Sequence, residues 1–127
     1  MTTEENLRIY SFEDLEAWKI AIDISVMTYK ITASFPKSEI YSLTNQMRRA
    51  SSSISANIAE GYGRYSTKEK CQFYKIANGS LYELKSFFYL AEKLGFIDGS
   101  VLKEIQPILT SSQKLTAALI RSIKDRD

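Results

Sequence analysis

No histidine occurs anywhere in these 127 residues, and that absence removes most of the chemistry a helical protein could carry. Di-iron sites in helical bundles use Glu-x-x-His pairs, zinc sites draw on His and Cys, and Ser-His or Cys-His nucleophiles need the imidazole as base. The single cysteine, Cys71, excludes an internal disulfide, and no sequence neighbour offers it a paired base, so it reads as a plain thiol. Two prolines and five glycines are too few for a loop-rich chain, and strand-like alternation is absent. No apolar run approaches the ~18 residues of a membrane span, and the acidic opening Met1-Thr2-Thr3-Glu4-Glu5-Asn6 is unlike a signal peptide. The expectation is a cytoplasmic, all-α protein that is not an enzyme and takes no metal and no cofactor.

What is present is helical periodicity. Ser11 reads as the N-cap of a first helix that runs to Ser34, where Phe35-Pro36 stops it. A second helix begins at Pro36 or Ser38, carries Leu43, Met47, Ala50, Ile54, Ile58 and Gly61 on one side, and ends in Gly61-Tyr62-Gly63. Ser66 and Glu69 form a capping-box signature for a third, which buries Phe73, Ala77, Ser80, Leu84, Phe87, Ala91 and Leu94 before Gly95 closes it. The fourth follows Asp98-Gly99-Ser100 with Leu102, Ile105, Leu109, Ser112, Leu119 and Ile123 on one side. Pro107 within it predicts a kink or a late start. Four amphipathic helices on short links predict a single-domain, antiparallel up-and-down four-helix bundle over 11–123, with residues 1–10 and 124–127 loose and polar.

The first helix has two apolar stripes. Leu15, Trp18, Ile22, Val26 and Tyr29, the bulkier set, are expected to meet the core, which leaves Ile20, Ile24, Met27 and Ile31 outside. An apolar stripe in water favours association, so these residues, with the outward Tyr82 and Tyr89 of the third helix, are the candidate interface of a homo-oligomer. On the second helix, Arg48, Ser52, Ser55 and Ala59 form a smooth ridge on which another helix could pack.

Several motifs recur in a set order: Phe12-Glu13-Asp14-Leu15-Glu16-Ala17-Trp18-Lys19, Phe35-Pro36-Lys37-Ser38-Glu39, Gln46-Met47-Arg48-Arg49-Ala50, Asn57-Ile58-Ala59-Glu60-Gly61-Tyr62-Gly63-Arg64, and Ala77-Asn78-Gly79-Ser80 followed by Glu83. In these the chain resembles the four-helix-bundle proteins encoded in intervening sequences of bacterial 23S ribosomal RNA genes. The resemblance spans about residues 10 to 120 and implies a pentameric barrel of such bundles. Distant four-helix relatives accompany reverse transcriptases in diversity-generating retroelements, where a basic barrel contacts nucleic acid and protein.

Among the motif residues, Ser53, Asn57, Gly79 and Ser80 lie on or beside core-facing sides, which points to a close helix crossing with a hydrogen-bond network. The alternative is a small-molecule pocket lined by Asn57, Ser80 and Glu83. Glu60 stands near the carboxyl end of its helix, where the macrodipole disfavours it, so a cation such as Arg64 or Arg49 is its expected partner.

Charge is uneven. Residues 1–36 carry three more acids than bases, whereas 37–85 hold eight Lys or Arg against four Glu. Arg48, Arg49, Arg64, Lys68 and Lys70 are the candidate phosphate contacts and Tyr62 and Tyr65 the candidate stacking rings for RNA or DNA. The competing expectation is a protein-interaction scaffold with no nucleic-acid contact.

Overall fold

The computed structural model describes residues 11–124. Four helices, α1 (Glu16–Thr32), α2 (Leu43–Tyr62), α3 (Thr67–Lys93) and α4 (Gly99–Lys124), follow one another, with short 3-10 turns at Phe12–Asp14 and Lys37–Glu39. Each helix packs on the next and α1 closes on α4, while the backbones of the diagonal pairs stay apart. This is the antiparallel four-helix bundle. The loose segments expected at 1–10 and 125–127 lie outside the described residues, and Lys124 is still helical.

Side-chain and backbone caps fix the boundaries. The Ser11 backbone N–H donates to Asp14 Oδ2 at 3.2 Å, but this closes only the 3-10 turn, because Leu15 is extended and the α-helix starts at Glu16. At the head of α3, Glu69 N–H donates to Ser66 Oγ at 3.1 Å. Its end is a Schellman closure: Phe96 N–H reaches Ala91 O and Gly95 N–H reaches Glu92 O, both at 2.9 Å, with Gly95 at φ 79°. Asp98 caps α4 by accepting from Ser100 N–H at 2.9 Å and Val101 N–H at 3.2 Å. Two expected starts are corrected. After Pro36 the chain makes a 3-10 turn, so α2 begins at Leu43. The late start considered for α4 does not occur, since the helix runs through Pro107; that ring is exposed, so water can satisfy the carbonyl whose donor it removes.

The core centres on the fully buried Ile24, Met47, Ile54, Ile58, Tyr74, Leu81, Leu84, Phe88, Ile105 and Leu109. Each such side chain contributes about 1.5–3 kcal/mol on removal from water. The faces assigned to the first helix are inverted. Ala17, Ala21, Ile24, Thr28 and Thr32 point inward, and Ile20, Met27 and Ile31 pack half-buried against the core. Ile22, Val26 and Tyr29 are the outward stripe, while Leu15 and Trp18 are half-buried. The reason is steric and polar together. Alanines let α1 approach closely, and Thr28 and Thr32 turn their hydroxyls onto the Ile24 and Thr28 carbonyls, each at 2.8 Å, so the threonines bury as if apolar.

Two smaller corrections follow on α2 and α3. Ser55 is buried and Ser25 Oγ donates to Ser51 O at 2.9 Å, so the side of α2 holding Ser51 and Ser55 meets this chain's own α1. On α3, Tyr74, Leu81 and Phe88 fill the core; Phe73 and Phe87 are only half-buried and Leu94 is exposed.

Candidate nucleic-acid interface

Three of the five expected phosphate-binding cations are engaged inside the molecule. Lys70 Nζ donates to Tyr62 O at 2.6 Å and to Gly61 O at 3.4 Å, and stands 5.3 Å from the Tyr62 ring centre. It closes carbonyls left open at the end of α2. Arg64 Nη2 donates to Glu60 Oε1 at 2.7 Å while its guanidinium lies 4.7 Å from the Phe73 ring centre. Both partners of that pair are about half exposed, so it contributes only ~0–1 kcal/mol and chiefly holds the side chain in place. Arg48 Nε donates to Thr32 Oγ1 at 3.0 Å and Nη2 to Tyr29 O at 3.4 Å, which ties α2 to the end of α1.

The five cations do not form one patch. Arg48 and Arg49 lie toward the start of α2 and Arg64 beyond its end, a separation of roughly 24 Å at ~1.5 Å per residue. Arg49 and Lys68 are exposed, as is Tyr65, whereas Tyr62 is half-buried.

A different basic site forms where α3 begins beside the end of α4. Thr67, Lys68, Cys71, Gln72, Lys75 and Lys124 line a groove of about 580 Å³. Among the described residues no carboxylate lines it, and the N–H groups of the first turn of α3 add positive potential. Two of its three lysines were missed by sequence reasoning. Lys75 is not among the candidate contacts above, although Lys68, Cys71 or Gln72, and Lys75 recur at helical spacing; Lys124 falls in the segment expected to be loose. Only the antiparallel register of α3 and α4 joins them. Cys71 lies nearly buried at this groove.

The motif segments meet elsewhere, between α2 and α3. Asn57 Nδ2 donates to Ser53 O at 2.8 Å and to Ser53 Oγ at 2.9 Å, and the Ser53 and Ser80 hydroxyls share a hydrogen bond of 2.9 Å across the helix pair. Beside this network Gln46, Arg49, Ala50, Ser53, Ser80 and Glu83 line a hollow of about 320 Å³. Residues 13–118 match the model of the 23S rRNA-intervening sequence protein family. The chain belongs to that family. No curated protein matches it.

In this member of the 23S rRNA-intervening sequence protein family, the polar motif side chains Arg49, Ser53, Ser80 and Glu83 line a surface hollow and stand outside the apolar core. Gly61 is buried where α2 meets α3. The outward Tyr82 and Tyr89 are exposed on α3. Among the described residues no helix is long and apolar enough to cross a membrane.

Proposed function

We propose that the chain is a non-enzymatic, cytoplasmic scaffold that associates with its own copies and holds RNA or DNA weakly through its basic surface. The observation that carries this reading is the groove of Lys68, Lys75 and Lys124, which offers three ammonium groups and, among the described residues, no lining carboxylate. Lysines at this spacing suit backbone phosphates, which carry no sequence information, and the exposed Tyr65 in the preceding turn is a ring on which a base can stack. Arg49, exposed and remote from this groove, is not among the phosphate contacts in this reading. Arg48, Arg64 and Lys70 shape the surface through their internal bonds and are secondary contacts in this reading.

Self-association is supported by apolar side chains left in water on two helices: Ile22, Val26 and Tyr29 on α1, and Ile76, Tyr82, Tyr89 and Leu90 on α3. These also support the second reading, a scaffold for proteins alone. A fluorescence-anisotropy titration of the chain with short single-stranded RNA and DNA at two salt concentrations separates the two. Binding at low salt that falls steeply at high salt is expected. Absence of binding at low salt leaves the protein scaffold.

A further inference from the structure

Gly79 is in the wrong place for its own fold. It sits midway along a helix of 27 residues, where glycine is about 1 kcal/mol less favourable than alanine, and a Cβ added there meets nothing within 4 Å. No described element of this chain needs the space. Around it, the outward side of α3 carries the exposed Ile76, Tyr82 and Leu90, and the α2–α3 hollow brings Arg49 and Glu83 to its edge. Arg49 and Glu83 form no ion pair with each other or with another described residue.

The outward side of α1 has the complementary character. Ile22, Val26 and Tyr29 are exposed, at 36%, 47% and 45%, with the Arg48 guanidinium 4.7 Å from the Tyr29 ring centre, and beside them stand Asp23 and Lys30, also without ion-pair partners among the described residues. Asp23 and Lys30 are seven positions apart, about 10 Å along a helix, which is comparable with the ~8–10 Å between packed helix axes. One helix crossing the α2–α3 face can therefore set an acid against Arg49 and a base against Glu83. α1 and α3 occupy diagonal corners of the bundle and their backbones do not approach each other. A two-fold contact of either side with itself would bury only one of the two stripes; a head-to-tail contact buries both and repeats from copy to copy.

We propose that the outward side of α1 of one copy docks on the α2–α3 side of the next, with Asp23 against Arg49, Lys30 against Glu83 and Gly79 as the point of closest approach. This rests on the self-association reading above and gives the Arg49, Gly79 and Glu83 motif positions a role in subunit register.

The test is light scattering after size exclusion on the full chain and three variants, with circular dichroism as the check on folding. Gly79→Leu keeps its helix content, because its side chain enters open space, and falls to the 14.5 kDa of one copy. Asp23→Arg also falls to one copy, and combining it with Arg49→Asp restores the assembly. A wild-type chain that is a single copy at every concentration overturns self-association and this contact together. An assembled wild type whose mass is unchanged by Gly79→Leu or by Asp23→Arg overturns the contact alone.

Discussion

Gly61 lies against the ring of Tyr74 so closely that a Cβ at position 61 would stand 2.7 Å from Tyr74 Cε1 and 3.0 Å from Phe73 Cβ. The glycine is what lets the end of α2 approach the start of α3, and Tyr74 is held in the core with almost no exposure. Gly61→Ala is therefore expected to destabilise the bundle by about 1–3 kcal/mol despite alanine's better helix propensity. Urea unfolding checks it; a neutral or stabilising result would show that the Tyr74 ring yields without cost.

What the sequence made legible was governed by local chemistry. The α3 cap at Ser66, its closure at Gly95 and the cap position at Asp98 each depend on a few adjacent residues, and each is read directly from them. The α1 face is not legible, because bulk is a poor guide to burial where helices approach closely. Two alanines and two threonines whose hydroxyls bond their own helix make a better inner seam than Val26 and Tyr29, a choice decided by how near α2 and α4 come. Lys124 joins Lys68 and Lys75 only through tertiary register, for which the sequence carried no local signal.

The Asp98 carboxyl is held below the usual carboxylate range, first by its bond from the Ser100 hydroxyl and then by the Val101 and Ser100 backbone N–H groups. A carboxylate with a depressed folded value stabilises the native state above its unfolded value and loses that contribution as pH falls through the folded one. Wild type is expected to melt above Asp98→Asn at neutral pH, and the gap should close below about pH 4. Thermal melts of the two proteins across that range check the sign; a gap that is constant with pH contradicts it.

Pro107 removes a backbone donor inside α4, on a side that faces water. Pro107→Ala supplies the missing N–H to the carbonyl of Lys103 and is expected to stabilise the fold by about 1–3 kcal/mol. Chemical denaturation measures this. A loss of stability would mean that the packing of α4 depends on the backbone geometry that proline fixes at this position.

The Ser53–Ser80 bond joins α2 to α3, and Asn57 Nδ2 closes on Ser53. Ser80→Ala removes one partner and leaves the Ser53 hydroxyl with its remaining contact, so a cost of about 0.5–1.5 kcal/mol is expected. Ser53→Ala with Ser80→Ala should cost less than the sum of the two single changes, which a double-mutant cycle reads directly.

In the proposed function, Lys68, Lys75 and Lys124 hold nucleic-acid phosphates. The most direct measurement is the salt dependence of single-stranded RNA binding for wild type and for the triple alanine variant at these positions. Loss of up to three phosphate contacts reduces the slope of log affinity against log salt by as much as about 2, at ~0.7 per contact, and weakens low-salt binding. An unchanged affinity and slope in the folded triple variant would contradict the claim and place any nucleic-acid contact elsewhere on the bundle.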